Sequence, residues 1–510
     1  MTNPPPDTAP VGYAALVERF HLRVVPHHRA SYVAHRGGHR EMKENGAHQC
    51  VYPSSYAPEQ NIGEQLEFAL KYDGTNLEIL KSIFLAAEKG EIEAYVSGKP
   101  NGKYARRIWY FYEFLTGEAL NLPDLKTGNY ITALEEEEYY TAERRRVPRQ
   151  RIDDNLLGTP AFCPMVRRTD ALTKAESLEL NKKAADVLLS YDKDTISRAV
   201  AYLYTKETIS SFQIEREKPS HDRAERFASM LRRAPQIETL SHDVILEVRN
   251  LIVDPRYKRN DYRRDEEVYI GESLTFYHQK VHFVGAPASQ VRPLMDGLLG
   301  CYERMRSSAV HPVVMAAALS FGFVFIHPFD DGNGRTHRFL IHYILAKNGF
   351  TPDGVIFPVS AAMVGHMKDY DACLETFSRP LMPLVRYDLD EVGRLSITES
   401  PVDAYRYFDA TVMAKYLFDC IEQTIEVDFK QELDFIVAFR TTKNAVRDIV
   451  DMPDRKIDLF IRFCLQNRGR LSKNKAEKEF PELSPEEIAA LEQAVRDGIG
   501  NTAIAFQGPL

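Results

Sequence analysis

The chain has 510 residues, 44% of them hydrophobic and 27% charged, with a formal net charge of -8. That composition is ordinary for globular protein of two to four domains, and the acidic balance gives no global drive towards nucleic acid. No run approaches the ~18 apolar residues of a membrane span, and the six cysteines are scattered without a CxxC pair.

The start, Met1-Thr2-Asn3-Pro4-Pro5-Pro6-Asp7, has neither the basic nor the apolar region of a secretory signal. With unpaired cysteines, this predicts reduced thiols and a cytoplasmic location. Residues 1–10 are polar and proline-rich and are expected to be disordered. Residues 13–52 read as a mixed, partly extended segment. Its histidines, His21, His27, His28, His35, His39 and His48, fit no zinc spacing and read as loop or surface residues. Helical periodicity then strengthens, first through Leu77, Leu80, Phe84 and Leu85, then through Ile108, Phe111, Tyr112 and Leu115. Trp109, the only tryptophan, is expected to pack. The basic cluster Arg144, Arg145, Arg146, Arg149 and Arg151 reads as a solvated boundary, and Pro160 and Pro164 suggest a domain edge near 165.

Thr173 with Glu176 has capping-box spacing, which predicts a helix start continued by Leu178, Leu180 and Val187. A second helix is predicted over 193–215, with Ile196, Val200, Leu203 and Ile209 on or near one face. It ends in Ser210-Ser211-Phe212-Gln213-Ile214-Glu215-Arg216-Glu217, closed by Pro219. Between 263 and 287 the pattern becomes extended. Val268-Tyr269-Ile270 and Val281-His282-Phe283-Val284 flank a polar middle holding Gly271, which predicts a β-hairpin. Helices follow, one marked by Val291, Leu294, Met295, Leu298 and Leu299, the next over 312–325.

The stretch His327-Pro328-Phe329-Asp330-Asp331-Gly332-Asn333-Gly334-Arg335-Thr336-His337-Arg338 carries the chemistry. A buried segment should end at His327 and a buried helix restart near Asn333. The loop between has glycines on both sides of Asn333, which permit close backbone approach. Backbone N–H groups at a helix start form an anion site. Arg335 and Arg338, three apart, share a helix face, and two guanidiniums beside such a nest suit a polyphosphate. Asp331 suits a Mg²⁺ that bridges phosphates, and His327 can accept a proton near neutral pH. The alternative is a Gly-Asn-Gly turn capping a core helix, with surface arginines.

These twelve residues resemble the Fic motif, HxFx[D/E]GNGRxxR, at every specified position. The resemblance implies an adenylyltransferase that moves AMP from ATP to a protein hydroxyl and releases pyrophosphate. It implies that His327 is the base, that Phe329 anchors the loop and that Asp331 holds Mg²⁺. Gly332, Asn333 and Gly334 would form the nest for the α- and β-phosphates. Arg335 and Arg338 would contact phosphates, Arg338 towards the γ-phosphate. The helix end at 211–216 resembles the family's inhibitory motif, [S/T]xxxE[G/N]. Ser211 and Glu215 match, while Arg216 stands where Gly or Asn is usual. The resemblance implies that Glu215 pairs with Arg338 and holds the enzyme back. The hairpin is similar to the family's flap, whose residues here are Val268, Tyr269, Ile270, Val281, His282 and Phe283. It would register a target backbone by strand addition. Transfer of UMP or phosphocholine, or removal of AMP, stays open within the fold. The kinase branch typically has Lys at the position of Gly334.

Beyond the motif, 359–377 reads as helical and 388–400 as a connector. Helices resume over 405–439, with Phe408, Val412, Tyr416 and Cys420 as a core stripe. Three short helices follow at 457–466, 471–480 and 485–497, the last opened by Ser484, Pro485 and Glu487. They could be a DNA-binding module, but interspersed glutamates favour a scaffold or target-docking role. The expectation is a mainly α protein with a helical Fic (Fido) core, hairpin flap and inhibitory helix over 165–390. An N-terminal α+β domain over 11–164 and a helical C-terminal domain over 391–510 flank it. Expected ligands are ATP as substrate and Mg²⁺. Expected partners are an unknown target protein and the chain itself, without membrane or nucleic acid, and homo-oligomerisation stays open.

Overall fold

In the computed structural model, which describes residues 4–499 apart from 35, 45, 46, 276 and 277, every residue after the first in helix Pro312–Ile326 is buried. Its uniformly apolar sequence has no face suited to water, so neighbours must cover it on all sides. Gly322 admits the ring of Phe162, which an added Cβ would meet at 2.5 Å. The next helix, Asn333–Lys347, is fastened to it by His337, whose Nδ1 lies 2.7 Å from the Ser320 carbonyl. The protein is mainly α-helical, with small sheets.

The chain clusters into two compact units, each assembled from discontinuous stretches. The first comprises Met1–Lys174, Ile237–Ile344 and Lys368–Leu417; the second comprises Ala175–Gln236, Leu345–Met367 and Phe418–Leu510. The spans 11–164, 165–390 and 391–510 remain a proposal about folding units along the sequence.

In the first unit, strands β1 (Thr8–Val11), β2 (Arg29–Ala34), β3 (Arg40–Glu44) and β4 (Ala47–Tyr52) form one sheet in the order β1-β2-β4-β3. Residues 8–10, expected to be disordered, instead pair antiparallel with β2, which satisfies their backbone groups despite the nearby prolines. Of the segment's histidines, His35 lies outside the described residues. Helices Leu77–Ala86 and Lys103–Thr116 bury Leu77, Leu80, Phe84, Ile108, Phe111 and Leu115 in a common core, whereas Leu85 is exposed. Trp109 is buried, donates to Glu113 at 2.8 Å and carries Arg149 over its ring. The basic cluster is locally engaged: Arg144 pairs with Glu136, Arg149 with Glu113 and Asp124, and Arg146 with Asp153. Phe162, Cys163 and Val166 are buried, and the backbone there is bonded to Arg406 and Phe408.

Three local expectations are corrected. The helix at 170 begins at Asp170, not Thr173: Thr169 receives the Leu172 N–H at 3.2 Å and so supplies the cap. An earlier Thr followed by Asp170 in the first turn outcompetes the later pair. Residues 388–400 are no plain connector, since Arg386–Leu389 and Leu395–Glu399 form an antiparallel hairpin. Val412 is exposed, so the stripe drawn through it is displaced.

In the second unit, helix Lys193–Ile214 buries Thr195, Ala199, Leu203, Glu207 and Ser211, leaving Ile209 exposed. Its buried face thus mixes small and polar residues with Leu203, Tyr204 and Phe212. Glu207, fully buried, accepts from the Ser360 N–H at 2.8 Å and from the Ser360 hydroxyl at the start of helix Val359–Gly365. Towards the C-terminus, Phe460, Ile461, Leu491 and Val495 form a further core. The cap of helix Pro485–Ile499 is reciprocal, with Ser484 N–H to Glu487 at 2.7 Å and Glu487 N–H to the Ser484 hydroxyl at 3.2 Å. Among the described residues no helix is long and apolar enough to cross a membrane.

Candidate active site

Helix Pro312–Ile326 ends because His327 takes a left-handed conformation, φ 55° and ψ 60°. A non-glycine residue there costs about 1–2 kcal/mol, so its surroundings must hold it. The buried Arg263 does so. Its Nε donates to the His327 carbonyl at 2.8 Å, its backbone N–H to the Pro328 carbonyl at 3.1 Å, and one Nη to the Ala286 carbonyl. Burial lowers the Arg263 pKa to about 10, partly offset by Glu267 at 3.3 Å, so the group stays charged at neutral pH. The His327 Nδ1 lies 3.1 Å from the Val324 carbonyl. A carbonyl can only accept, so Nδ1 carries the proton and Nε2 is the basic nitrogen.

The rest of the loop is tied from both sides. Phe329 is buried against Tyr262 and Phe323, with the Arg249 guanidinium over its ring. The Asn333 side chain spans the turn, accepting from the Phe329 N–H at 3.0 Å and donating to its carbonyl at 2.8 Å. That side chain locks the loop, so any ligand contact from Asn333 falls to its backbone N–H. Gly332 has φ 91°, and an added Cβ would meet Val253 at 3.1 Å. Here the turn does require glycine. Asp330 bonds the buried Arg249 at 2.7 Å and Arg259 at 3.1 Å. Arg249 also donates to the Asp331 carbonyl at 3.1 Å, and burial lowers its pKa.

Helix Asn333–Lys347 starts within this turn, so the N–H groups of its first residues have no intrahelical partner. Arg335 and Arg338 are 1% and 0% exposed, which excludes the surface-arginine alternative. Arg335 donates to one Asp331 oxygen at 2.8 Å. The other Asp331 oxygen has no hydrogen-bond partner among the described residues, and the side chain is 48% exposed. A half-exposed carboxylate beside an anion cradle has the oxygen donor that a hard cation such as Mg²⁺ requires, and the residues fit that ion.

The predicted hairpin consists of strands Tyr269–Thr275 and His278–Val284, with Ile270 opposite Phe283 and Gly271 opposite Val281 across a bulge. Val268 lies outside the strands but accepts from the Gly285 N–H. His282 pairs with Glu272 at 3.0 Å, and Ile270 is exposed. Phe283 is buried, with its ring 6.3 Å from that of His327. An added Cβ on Gly285 would come within 2.9 Å of the His327 Cβ, so the hairpin base abuts the histidine directly. The Tyr405 hydroxyl donates to the Val284 carbonyl at 2.8 Å and pins that base.

Ser211 and Glu215 belong to the second unit, where Ser211 is buried and Glu215 is exposed at the helix end. Arg216 has φ 56°, its N–H bonds the Gln213 carbonyl, and the Glu217 N–H bonds the Phe212 carbonyl. These are the two bonds of a Schellman ending, whose left-handed position favours Gly or Asn. The departure at Arg216 therefore leaves the turn geometry intact. Arg249, Arg259 and Arg263 had no sequence signal, because their partners in the motif loop lie 64–82 residues away. An arginine destined for burial looks like any other.

A histidine at a strained helix end thus shares one loop with a glycine turn, a helix start and two buried arginines. Residues 239–345 match the model of the Fic/DOC family. Curated relatives include protein adenylyltransferase Fic of Drosophila melanogaster, 36% identical over 153 residues, or 30% of this chain and 26% of that one. Protein adenylyltransferase fic-1 of Caenorhabditis elegans is 29% identical over 168 residues, covering 32% and 30%. The chain thus spans under a third of the length of the curated relatives it matches. Among solved structures, a Fic domain containing signaling protein from Bacteroides thetaiotaomicron VPI-5482 covers 52% of this chain and 97% of its own at 17% identity, TM-score 0.38. A Fic family protein from Desulfovibrio desulfuricans G20 covers 67% and 91% at 18% identity, TM-score 0.37.

Proposed function

We propose that the protein is an adenylyltransferase that moves AMP from ATP to a Ser, Thr or Tyr hydroxyl of a target protein and of itself. The observation that carries this reading is the His327 turn, with Nδ1 committed to Val324 and Nε2 left as the base beside the helix start and the buried arginines. His327 Nε2 takes the hydroxyl proton as the oxygen bonds the α-phosphorus. The bond from that phosphorus to the β-phosphate oxygen breaks, and pyrophosphate leaves. The backbone N–H groups of 332–334, with Arg335 and Arg338, neutralise the charge that develops, so catalysis is mainly positioning and electrostatics. Asp331 would hold Mg²⁺, which supplies charge neutralisation on the phosphates. The two-stranded hairpin, beside His327, would take an extended target segment along its edge. Six buried, unpaired cysteines suit a reducing compartment, and we place the protein in the cytoplasm.

Glu215 is read as the restraint on this activity, on the strength of the matching Ser211 and Glu215 and of the Schellman ending that places Glu215 at the helix C-cap. The test is incubation of wild type and Glu215→Gly with Mg²⁺ and ATP, UTP or GTP labelled on the α-phosphate. Label from ATP should enter protein, and more of it in Glu215→Gly. Label from UTP alone would overturn the choice of nucleotide. Equal labelling of both proteins would remove Glu215 from the account.

A further inference from the structure

Strand β3 is an edge of its sheet, and its antiparallel register with β4 sets Glu41 opposite Cys50 and Lys43 opposite His48. Alternate residues of a strand share a face, so His48 and Cys50 project from one side of β4 and Glu41 from the same side of β3. The three side chains converge there. His48 Nε2 lies 3.3 Å from a Glu41 carboxylate oxygen. One ligand atom each from Glu41, His48 and Cys50 lies within 4.8 Å of the other two. Spacing along the sequence did not reveal this group, because one of its members comes from the neighbouring strand.

The donors are one sulfur, one nitrogen and one oxygen. Hard cations such as Mg²⁺ prefer oxygen alone, whereas borderline-soft Zn²⁺ takes all three. Zn–N and Zn–O bonds of ~2.0–2.2 Å put adjacent tetrahedral ligands roughly 3.4 Å apart, and a Zn–S bond of ~2.3 Å puts the sulfur roughly 3.6 Å from either. The Glu41–His48 separation already meets the first figure. The group is also graded in depth. Cys50 is fully buried, while the side chains of His48 and Glu41 are 21% and 51% exposed, so the approach from solvent is on the Glu41 side. Among the described residues the Cys50 thiol makes no hydrogen bond that a metal would have to break. Burial raises its pKa, opposed by the nearby Arg29, so binding displaces a proton from the sulfur. Arg29 and Lys43 stand opposite His48 on the two flanking strands, and Arg29 donates to the Tyr72 carbonyl at 2.9 Å. Thiolate and carboxylate together neutralise a divalent ion, so these two cations face a site of no net charge.

We propose that Cys50, His48 and Glu41 bind Zn²⁺ with a fourth position open to water, and that the ion fastens edge strand β3 to β4. No step of the transfer reaction depends on it, and it is separate from the oxygen-donor site at Asp331.

The test is titration of the full chain, freed of metal by a chelator, with Co²⁺ as the spectroscopic stand-in for Zn²⁺. One equivalent should produce the near-ultraviolet charge-transfer absorption of a Co²⁺–thiolate bond, a signature that the Asp331 carboxylate cannot give. Zn²⁺ should bleach it by displacing Co²⁺, and should raise the melting temperature of wild type. Cys50→Ser should remove the absorption. Glu41→Gln and His48→Gln, at positions open to solvent, should keep the fold and weaken Co²⁺ binding about tenfold or more, since even groups that only orient metal ligands are worth ~10–100-fold. No charge-transfer absorption, absorption that persists in Cys50→Ser or resists Zn²⁺, or an affinity unchanged in either surface variant would overturn the proposal. Because the readout is direct, it stands or fails separately from the transfer activity.

Discussion

His327 and Arg216 share an unusual backbone, with φ 55° and 56°, and each ends a long helix. They are held by different means. The His327 turn is enclosed by buried charge: Arg263 binds its carbonyl, Asn333 spans the following residues, and Arg249 grips Asp330 and the Asp331 carbonyl. The Arg216 turn rests on two backbone bonds, with an exposed side chain. A strained residue that must present a reactive atom is fixed by side chains from distant segments. A strained residue that only ends a helix is left to local hydrogen bonding, and there the strain could be relieved without loss.

The comparison can be broken at four points. The largest effect should come from His327→Asn. Asn tolerates the left-handed conformation, so the turn should survive while the base is lost. Transfer should fall ~10²–10⁴-fold, with an unchanged circular dichroism spectrum; transfer within a few-fold of the parent would free His327 of the base role. Next is Arg263→Met. Removing one partner of a buried charged network costs roughly 3–5 kcal/mol, and a shift of ~1 Å at the base costs ~10²-fold in rate. Denaturant unfolding and single-turnover labelling should show both losses, and an intact rate would mean that the turn holds itself. Asn333→Ala removes two loop hydrogen bonds and should cost roughly 1–3 kcal/mol, with a smaller fall in labelling; full stability would show that the span across the turn is dispensable. Smallest, and of opposite sign, is Arg216→Gly. It should stabilise the second unit by roughly 1 kcal/mol, seen as a raised denaturation midpoint. A lowered midpoint would show that the Arg216 side chain matters beyond the turn.

The motif loop was legible because its parts lie in twelve consecutive residues. The apolar run forced a buried helix up to Ile326, the glycines marked the turn, and the helix does restart at Asn333. The role of the Asn333 side chain was not legible, since the same amide could face a ligand or its own loop. Arg249 and Arg263 were invisible because burial of a charge is decided by partners distant in sequence. The buried face of helix Lys193–Ile214 was misplaced for a related reason: Glu207 lies inside, where Ser360, distant in sequence, meets it. Thr169 shows the limit of local signals, since two cap patterns four residues apart both satisfy the rule and context selects one.

The most direct test of the central claim is intact-mass analysis of Glu215→Gly and of the Glu215→Gly, His327→Asn double variant after incubation with ATP and Mg²⁺. The account predicts an added AMP on the single variant and none on the double variant. Equal AMP incorporation in both would contradict it.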